Sequence, residues 1–473
     1  MSEPPVQAAF PTAFPVAVPF AIGGMLIAAM LAAPAPLAAE EATFELENGL
    51  RVQLIAAEGL ATSRLSRIAV LVLFDIGEAH DPEERPGLAH LIEHLYATAA
   101  AGEIPARTAE EWFAAHDGQV NAQTGRDYTL LAAIAPPDRL EAELADAAAR
   151  LGGVRIEDAD LERELARMGS ELDNMYGGIL PLAARNHAQN AIDPLPGGAR
   201  RGGEVAALEG IGIEEVRARL AGNYVPARAR LVVAGAFELA ATRARIEALF
   251  GAIPRRDPGA LLSRAAPAPQ SGERLDIVAA APAAGTAPTA GRALARLWAT
   301  PELSGPEGSA TLLLGAKFLQ VAPAHGVTPV FAPIDDPRVF GGVVTLGEGE
   351  SPADAISRID RALAAAVEAE GPFPKQWAER SLDHLLSLRP PAASSVATNP
   401  YLVALGAGRR AQLALDRAAL IEALAALDEA ALKKLRETVF ATERSVTVTI
   451  GRGAPMPSPP GEGEPAPPGG KDR

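Results

Sequence analysis

One stretch constrains this chain more than any other: Gly87-Leu88-Ala89-His90-Leu91-Ile92-Glu93-His94-Leu95. On an α-helix, positions i, i+3 and i+4 share a face, so His90, Glu93 and His94 point into one space. Two imidazoles at i and i+4 can ligate a single Zn2+ at about 2.0–2.1 Å, with the glutamate beside the ion's open position. A solvated helix face that happens to carry two of the chain's seven histidines is the plainer reading. It fits poorly, because Leu88, Ala89, Leu91, Ile92 and Leu95 surround the motif with apolar residues. Ionisable groups set among them need a partner, and a metal supplies one. A catalytic zinc takes three protein ligands and keeps one position open, so a third ligand has to come from elsewhere.

The candidate lies in Glu162–Asp173, where Leu161, Leu165, Met168 and Leu172 recur at helical spacing and predict a helix with one buried stripe. Glu164 and Glu171 are two turns apart and share a face. Taken alone, Glu171 is an ordinary solvated helix glutamate. Taken with the first motif, the residues resemble the pitrilysin/insulysin family of zinc peptidases, which includes the mitochondrial processing peptidase. That family carries H-x-x-E-H, the inverted form of H-E-x-x-H, and then R-E-x6-E. Here Arg163-Glu164 precedes Glu171 at that spacing, and Glu171 follows His94 by 77 residues. The resemblance implies one Zn2+ per chain held by His90, His94 and Glu171, with Glu93 as general base toward the zinc-bound water. It makes Glu164 a residue that orients a ligand, the alternative being a helix-surface carboxylate paired with Arg167. Gly118–Thr124 resembles the family's G-x-x-N-A-x-T strand, whose edge pairs with an extended substrate. That nominates Asn121 and Ala122 for substrate binding; an interior strand with a satisfied asparagine is the plainer reading.

The remainder of the 473 residues is read around these motifs. A net charge of −16 argues against a nucleic-acid partner. With no cysteine, disulfides, thiolate ligands and a cysteine nucleophile are excluded. Residues 1–39 stand apart: Ala21–Ala33 is an unbroken apolar run of 13 residues, the length of a signal-peptide core, with Ala38-Ala39 as a cleavage site. This predicts a periplasmic or secreted protein. A retained N-terminal anchor is the alternative, and the only route to a membrane.

In chain order, Asn48-Gly49 predicts a hairpin and Ile68–Phe74 a buried strand ahead of the motif helix. A helix at Ala109–Ala115, a strand at Tyr128–Ile134, a helix at Pro137–Leu151, a strand ending at Gly235 and a helix ending at Gly251 complete a first domain, 40–253. Asn223–Gly235 also resembles the family's Y-x-P-x-x-x-x-L-V-V-x-G segment. Residues 254–272 read as a linker. Domain 273–452 repeats the order, with strands at Ala295–Ala299, Val327–Ala332, Val339–Leu346 and Ser445–Ile450. Its helices fall at Gly305–Leu319, Ala353–Glu368, Pro374–Leu388 and Arg417–Val439, before a Pro/Gly-rich tail, 453–473, expected to be disordered. The implied fold class is α+β: two homologous units, each a mixed, largely antiparallel sheet with helices packed on it, joined by a linker and forming half of a peptidase chamber. His80, His116, His187, His325 and His384 lack the E-H companion and read as ordinary histidines.

One departure from the family matters. Active single-chain relatives carry an R-x6-Y pair in the second half that binds the substrate and its tetrahedral intermediate. After Tyr224 the only tyrosine is Tyr401, seven beyond Ser394, and 319–331 holds neither arginine nor tyrosine. The resemblance therefore implies a zinc metalloendopeptidase subunit for extended peptides or unfolded segments, completed by a homologous partner that carries the Arg/Tyr pair. The alternative is a non-catalytic structural subunit like the core proteins of respiratory complexes.

Overall fold

The computed structural model describes residues 39–57, 66–116, 119–261, 274–278, 291–303, 305–334, 336–368 and 399–451. The first half supplies β1 (Glu40–Glu45), β2 (Arg51–Ala56), β3 (Ile68–Phe74), β4 (Ala100–Ala101), β5 (Val120–Thr124), β6 (Thr129–Ala135), β7 (Val154–Arg155) and β8 (Ala229–Gly235). The second supplies β9 (Arg274–Val278), β10 (Arg292–Ala299), β11 (Thr328–Ala332), β12 (Asp336–Leu346) and β13 (Ser445–Gly451). They build a six-stranded sheet, β1-β2-β8-β3-β6-β5, and a five-stranded sheet, β11-β12-β10-β13-β9, while β4 and β7 form a small pair of their own. Among the described strands, only β2/β8 and β13/β9 run parallel. The class is therefore mixed α/β, with largely antiparallel sheets carrying packed helices.

The central strand of the first sheet shows why. Ile68-Ala-Val-Leu-Val-Leu-Phe74 is apolar without alternation, and every residue of it is buried. Such a strand must be covered on both faces. On one side Val70, Val72 and Phe74 join Leu91, Ile92 and Leu95 of the motif helix in the main core. On the other, Ala69, Leu71 and Leu73 pack with Ala404 and Ala407. Those alanines belong to the helix Pro400–Gln412, which comes from the second half of the chain. The second sheet is covered in return by the helix Leu180–Ile192 from the first half. Its Ala183, Ala184 and Ala188 lie against Ala293, Ala295, Val446 and Val448. The two halves thus exchange one helix each, and small side chains let each helix approach its sheet closely.

Sequence reasoning assigned no element to either exchanged helix. Their buried faces are alanine-rich, so the apolar period that marks an amphipathic helix is faint. The helix Ile213–Asn223 and the strand Arg274–Val278 were likewise unassigned, and elsewhere the differences are local. The strand expected at Tyr128–Ile134 sits one residue later, and the helix expected from Pro137 opens with a 3-10 turn, Pro137–Arg139, before Leu140–Gly152. The region Arg417–Val439 divides into Arg417–Ala425 and Glu429–Thr438, because Asp428 accepts from Ala431 N at 2.8 Å and starts a new helix. The Asn48-Gly49 hairpin is anchored as well as turned, since Asn48 Nδ2 donates to Phe250 O at 2.7 Å and to Ile253 O at 3.0 Å. The apolar run at Ala21–Ala33, the linker beyond residue 261, the helix Pro374–Leu388 and the tail lie outside the described residues. Among the described residues, no helix is long and apolar enough to cross a membrane.

Candidate metal centre

The motif helix spans Leu88–Thr98, and all of its residues are buried. Asp81 starts it, its carboxylate accepting from Gly87 N at 2.9 Å and Ala89 N at 3.0 Å, where the helix presents unpaired N–H groups and a positive dipole end. Arg150 closes the other end, donating from Nη1 to Tyr96 O at 2.8 Å and to Ala99 O at 3.2 Å. The second helix, Asp158–Gly177, packs against the first through Met168 and Leu172. That stripe turns Glu164 and Glu171 toward the histidines.

The structure brings His90, His94 and Glu171 together, with one donor atom from each lying within 4.8 Å of the others. Glu171 Oε1 is 3.8 Å from His90 Nε2, and Glu171 Oε2 is 3.4 Å from His94 Nε2. His90 Nδ1 lies 2.9 Å from Gly202 O. A carbonyl only accepts, so Nδ1 carries the proton and the lone pair of Nε2 faces Glu171. His94 Nδ1 stands 3.4 Å from Glu164 Oε2, an ion-pair distance, which favours the same tautomer. Two imidazole nitrogens and a carboxylate are ligands Zn2+ takes, and tetrahedral ligands at zinc distances stand about 3.4 Å apart. The donor set fits a metal of that kind.

The electrostatics point the same way. Burial pushes the Glu171 carboxyl up, but hydrogen bonding to His94 and the charge of His90, both acting when these rings are protonated and no metal is bound, outweigh it and hold the group at about 2. Glu164, fully buried, behaves alike: desolvation raises it, and His94 and then Arg167 bring it down to about 2. Arg167 Nε donates to it at 2.7 Å, Arg163 Nε at 3.1 Å and Thr98 Oγ1 at 2.9 Å. It is at once the partner of Arg167 and the neighbour of His94. Both folded-state values lie below the unfolded value of about 4.3, so each carboxylate's contribution to stability is present above that pH and is lost as pH falls toward the folded value.

Glu93 is buried beside this cluster, and its Oε2 accepts from Thr124 Oγ1 at 2.6 Å. Thr124 ends β5, an edge strand whose only partner among the described strands is β6. Along β5 the side chains alternate. Ala122 packs with the main core on the motif-helix side, whereas Asn121 Nδ2 donates to Tyr401 Oη at 2.7 Å on the opposite face.

Several contributors were invisible to residue-by-residue reading. Gly202 acts through its carbonyl, and its N–H donates to the buried carboxylate of Glu78. Gly203 has φ +87°, and a Cβ there would stand 2.1 Å from Gly87 Cα, so the loop and the start of the motif helix touch backbone to backbone. Arg201, just before them, ties this loop to Asp193 at 3.2 Å and to Asp336 of β12 at 3.1 Å. Glycines at 202 and 203 were the available signal. Gly203→Ala is expected to cost about 1–2 kcal/mol from the left-handed backbone alone, with the clash added. It should also lower zinc content by displacing the Gly202 carbonyl from His90. Thermal unfolding and metal analysis that match wild type would refute this close-contact role.

The insulinase family, peptidase family M16, matches residues 54–189. The Caenorhabditis elegans protein named "Putative zinc protease C28F5.4" is 39% identical over 85 residues, a match covering 18% of this chain and 9% of that one. The chain thus matches under a tenth of that relative's length. A protease from Helicobacter pylori has a TM-score of 0.69 at 15% identity, over 88% of this chain and 100% of that one. The periplasmic protease PqqL from Escherichia coli has a TM-score of 0.61 at 14% identity, over 88% of this chain but 48% of that one. At such identities the structures speak for the fold. The family match spans the motif helix and the second glutamate helix, and over residues 54–189 the chain is similar to peptidase family M16 of the insulinase type.

Proposed function

We propose that the chain is the zinc-holding subunit of a metalloendopeptidase that cleaves extended peptides or unfolded segments. The observation that carries this reading is the convergence of His90 Nε2, His94 Nε2 and the Glu171 carboxylate, with Glu93 held beside them. These three residues would hold one Zn2+ per chain, and the ion supplies Lewis acidity toward water and toward a peptide carbonyl when bound. Gly202 O fixes the His90 tautomer, and Glu164 does the same for His94 from the other side of the ring. Glu93 takes up a proton at Oε1, the oxygen Thr124 leaves open, and returns it to the leaving amine. The edge of β5 receives an extended peptide as an added strand. Asn121 and Ala122 would contribute through their main chain, since the Asn121 side chain is engaged by Tyr401.

A purely structural subunit is the second reading. The intact cluster speaks against it, because a scaffold gains nothing from two imidazoles and two carboxylates gathered in a buried space. Metal analysis separates the two. Wild type is expected to bind close to one zinc per chain, and Glu171→Gln to lose most of it, because one of three ligands and its charge are removed. Zinc retention equal to wild type would rule Glu171 out as a ligand.

The apolar run Ala21–Ala33 and the likeness to a periplasmic protease support a place outside the cytoplasm. N-terminal sequencing of the exported protein should begin near Glu40. A soluble cytosolic form starting at Met1 or Ser2 would overturn this placement.

A further inference from the structure

Behind the motif helix, away from the cluster, lies a cavity of about 390 Å³ whose lining includes Arg150, Arg155, Arg217, Arg256 and Tyr96. Glu157 is the single carboxylate in that lining. Four guanidinium groups around one space are out of keeping with a chain of net charge −16. Arg150 Nε already pairs with Asp146 Oδ2 at 2.8 Å, whereas the partners of the other three leave capacity to spare. Arg155 donates to Gly102 O at 3.0 Å and Arg256 to Leu151 O at 3.2 Å, and neither meets a carboxylate among the described residues. Arg217 spends one arm on Glu214 and another on Ile156 O. Two of the lining residues, which also border a smaller neighbouring cavity, carry donors that are closed to solvent and unmet. Tyr96 is 2% exposed and Arg150 3%, yet Tyr96 Oη and Arg150 Nη2 have no hydrogen-bond partner.

We propose that this cavity is a binding site for a small organic oxyanion, one carrying a phosphoryl or carboxylate group. Arginine forks match the geometry of both groups, and the volume falls in the range of small-molecule sites, roughly 300–1,000 Å³. The site is independent of the metal cluster and of any peptidase activity. It does border the motif helix, through Tyr96 of that helix and through Arg150, whose guanidinium holds Tyr96 O and Ala99 O at the helix's C-terminal end.

The test is calorimetric titration of the full chain with inorganic phosphate and, separately, with succinate, at fixed ionic strength. Saturable binding of at least one probe is expected, and the preferred probe tells a phosphoryl ligand from a carboxylate one. Arg217→Ala and Arg256→Ala should each weaken it about tenfold or more, the loss of one charge-assisted contact. Arg255→Ala is the control, since Arg255 faces Asp257 and Glu47 O outside the cavity and should bind like wild type. Absence of saturable binding to both probes would overturn the proposal. So would affinities unchanged in Arg217→Ala and Arg256→Ala, or a loss in Arg255→Ala equal to theirs.

Discussion

Glu93→Gln is expected to keep the fold and the zinc and to lower peptide hydrolysis by about 10²–10⁴-fold, the usual worth of a positioned general base. The substitution preserves shape, and the amide oxygen can still accept the Thr124 hydroxyl that now reaches Oε2 at 2.6 Å. Glu93 is not one of the three converging donors, so metal content has no reason to fall. What disappears is a carboxylate able to take a proton and hand it on. The loss should therefore appear in kcat, with KM little changed. Thr124→Val, which removes only the group that orients Glu93, should lose much less. If Glu93→Gln hydrolysed peptide within a few-fold of wild type while carrying its zinc, Glu93 would have no part in the chemistry.

The contrast between what the sequence disclosed and what it hid has a physical basis. His90, Glu93 and His94 were legible because helical period turns a spacing into a shared face; the apolar stripe at Leu161, Leu165, Met168 and Leu172 gave only a second helix, and Glu171 was singled out on it by the resemblance to the family's R-E-x6-E spacing. The buried strand Ile68–Phe74 was legible for a similar reason: seven consecutive apolar residues have few other uses. Gly202 was not, because what it contributes is a carbonyl, and every residue has one. Thr124 and Thr98 were missed because a short hydroxyl carries no period, and only the fold brings Thr124 to Glu93 or Thr98 to Glu164. The Asn121–Tyr401 hydrogen bond joins residues 280 apart in the chain, across the exchanged helix that no apolar pattern announced.

Mixing the purified chain with a homologous partner is expected to raise peptide hydrolysis by about 10²–10³-fold over the chain alone. The reason lies in what the second half lacks. Its described sheet repeats the scaffold of the first, but 319–331 contains neither arginine nor tyrosine. Tyr401, the one tyrosine of the second half, has its hydroxyl against Asn121 on the face of β5 opposite Glu93. A tetrahedral oxyanion formed here would lack donors that are worth about 2.7–4 kcal/mol where an oxyanion hole supplies them. We therefore expect a partner of similar length that lacks H-x-x-E-H and carries R-x6-Y in its second half. Substituting that arginine or tyrosine should abolish the gain while the two chains still associate, which separates chemistry from assembly. Full turnover by a strictly monomeric or homodimeric preparation would mean that another group of this chain meets the oxyanion, and the requirement for a partner would fall.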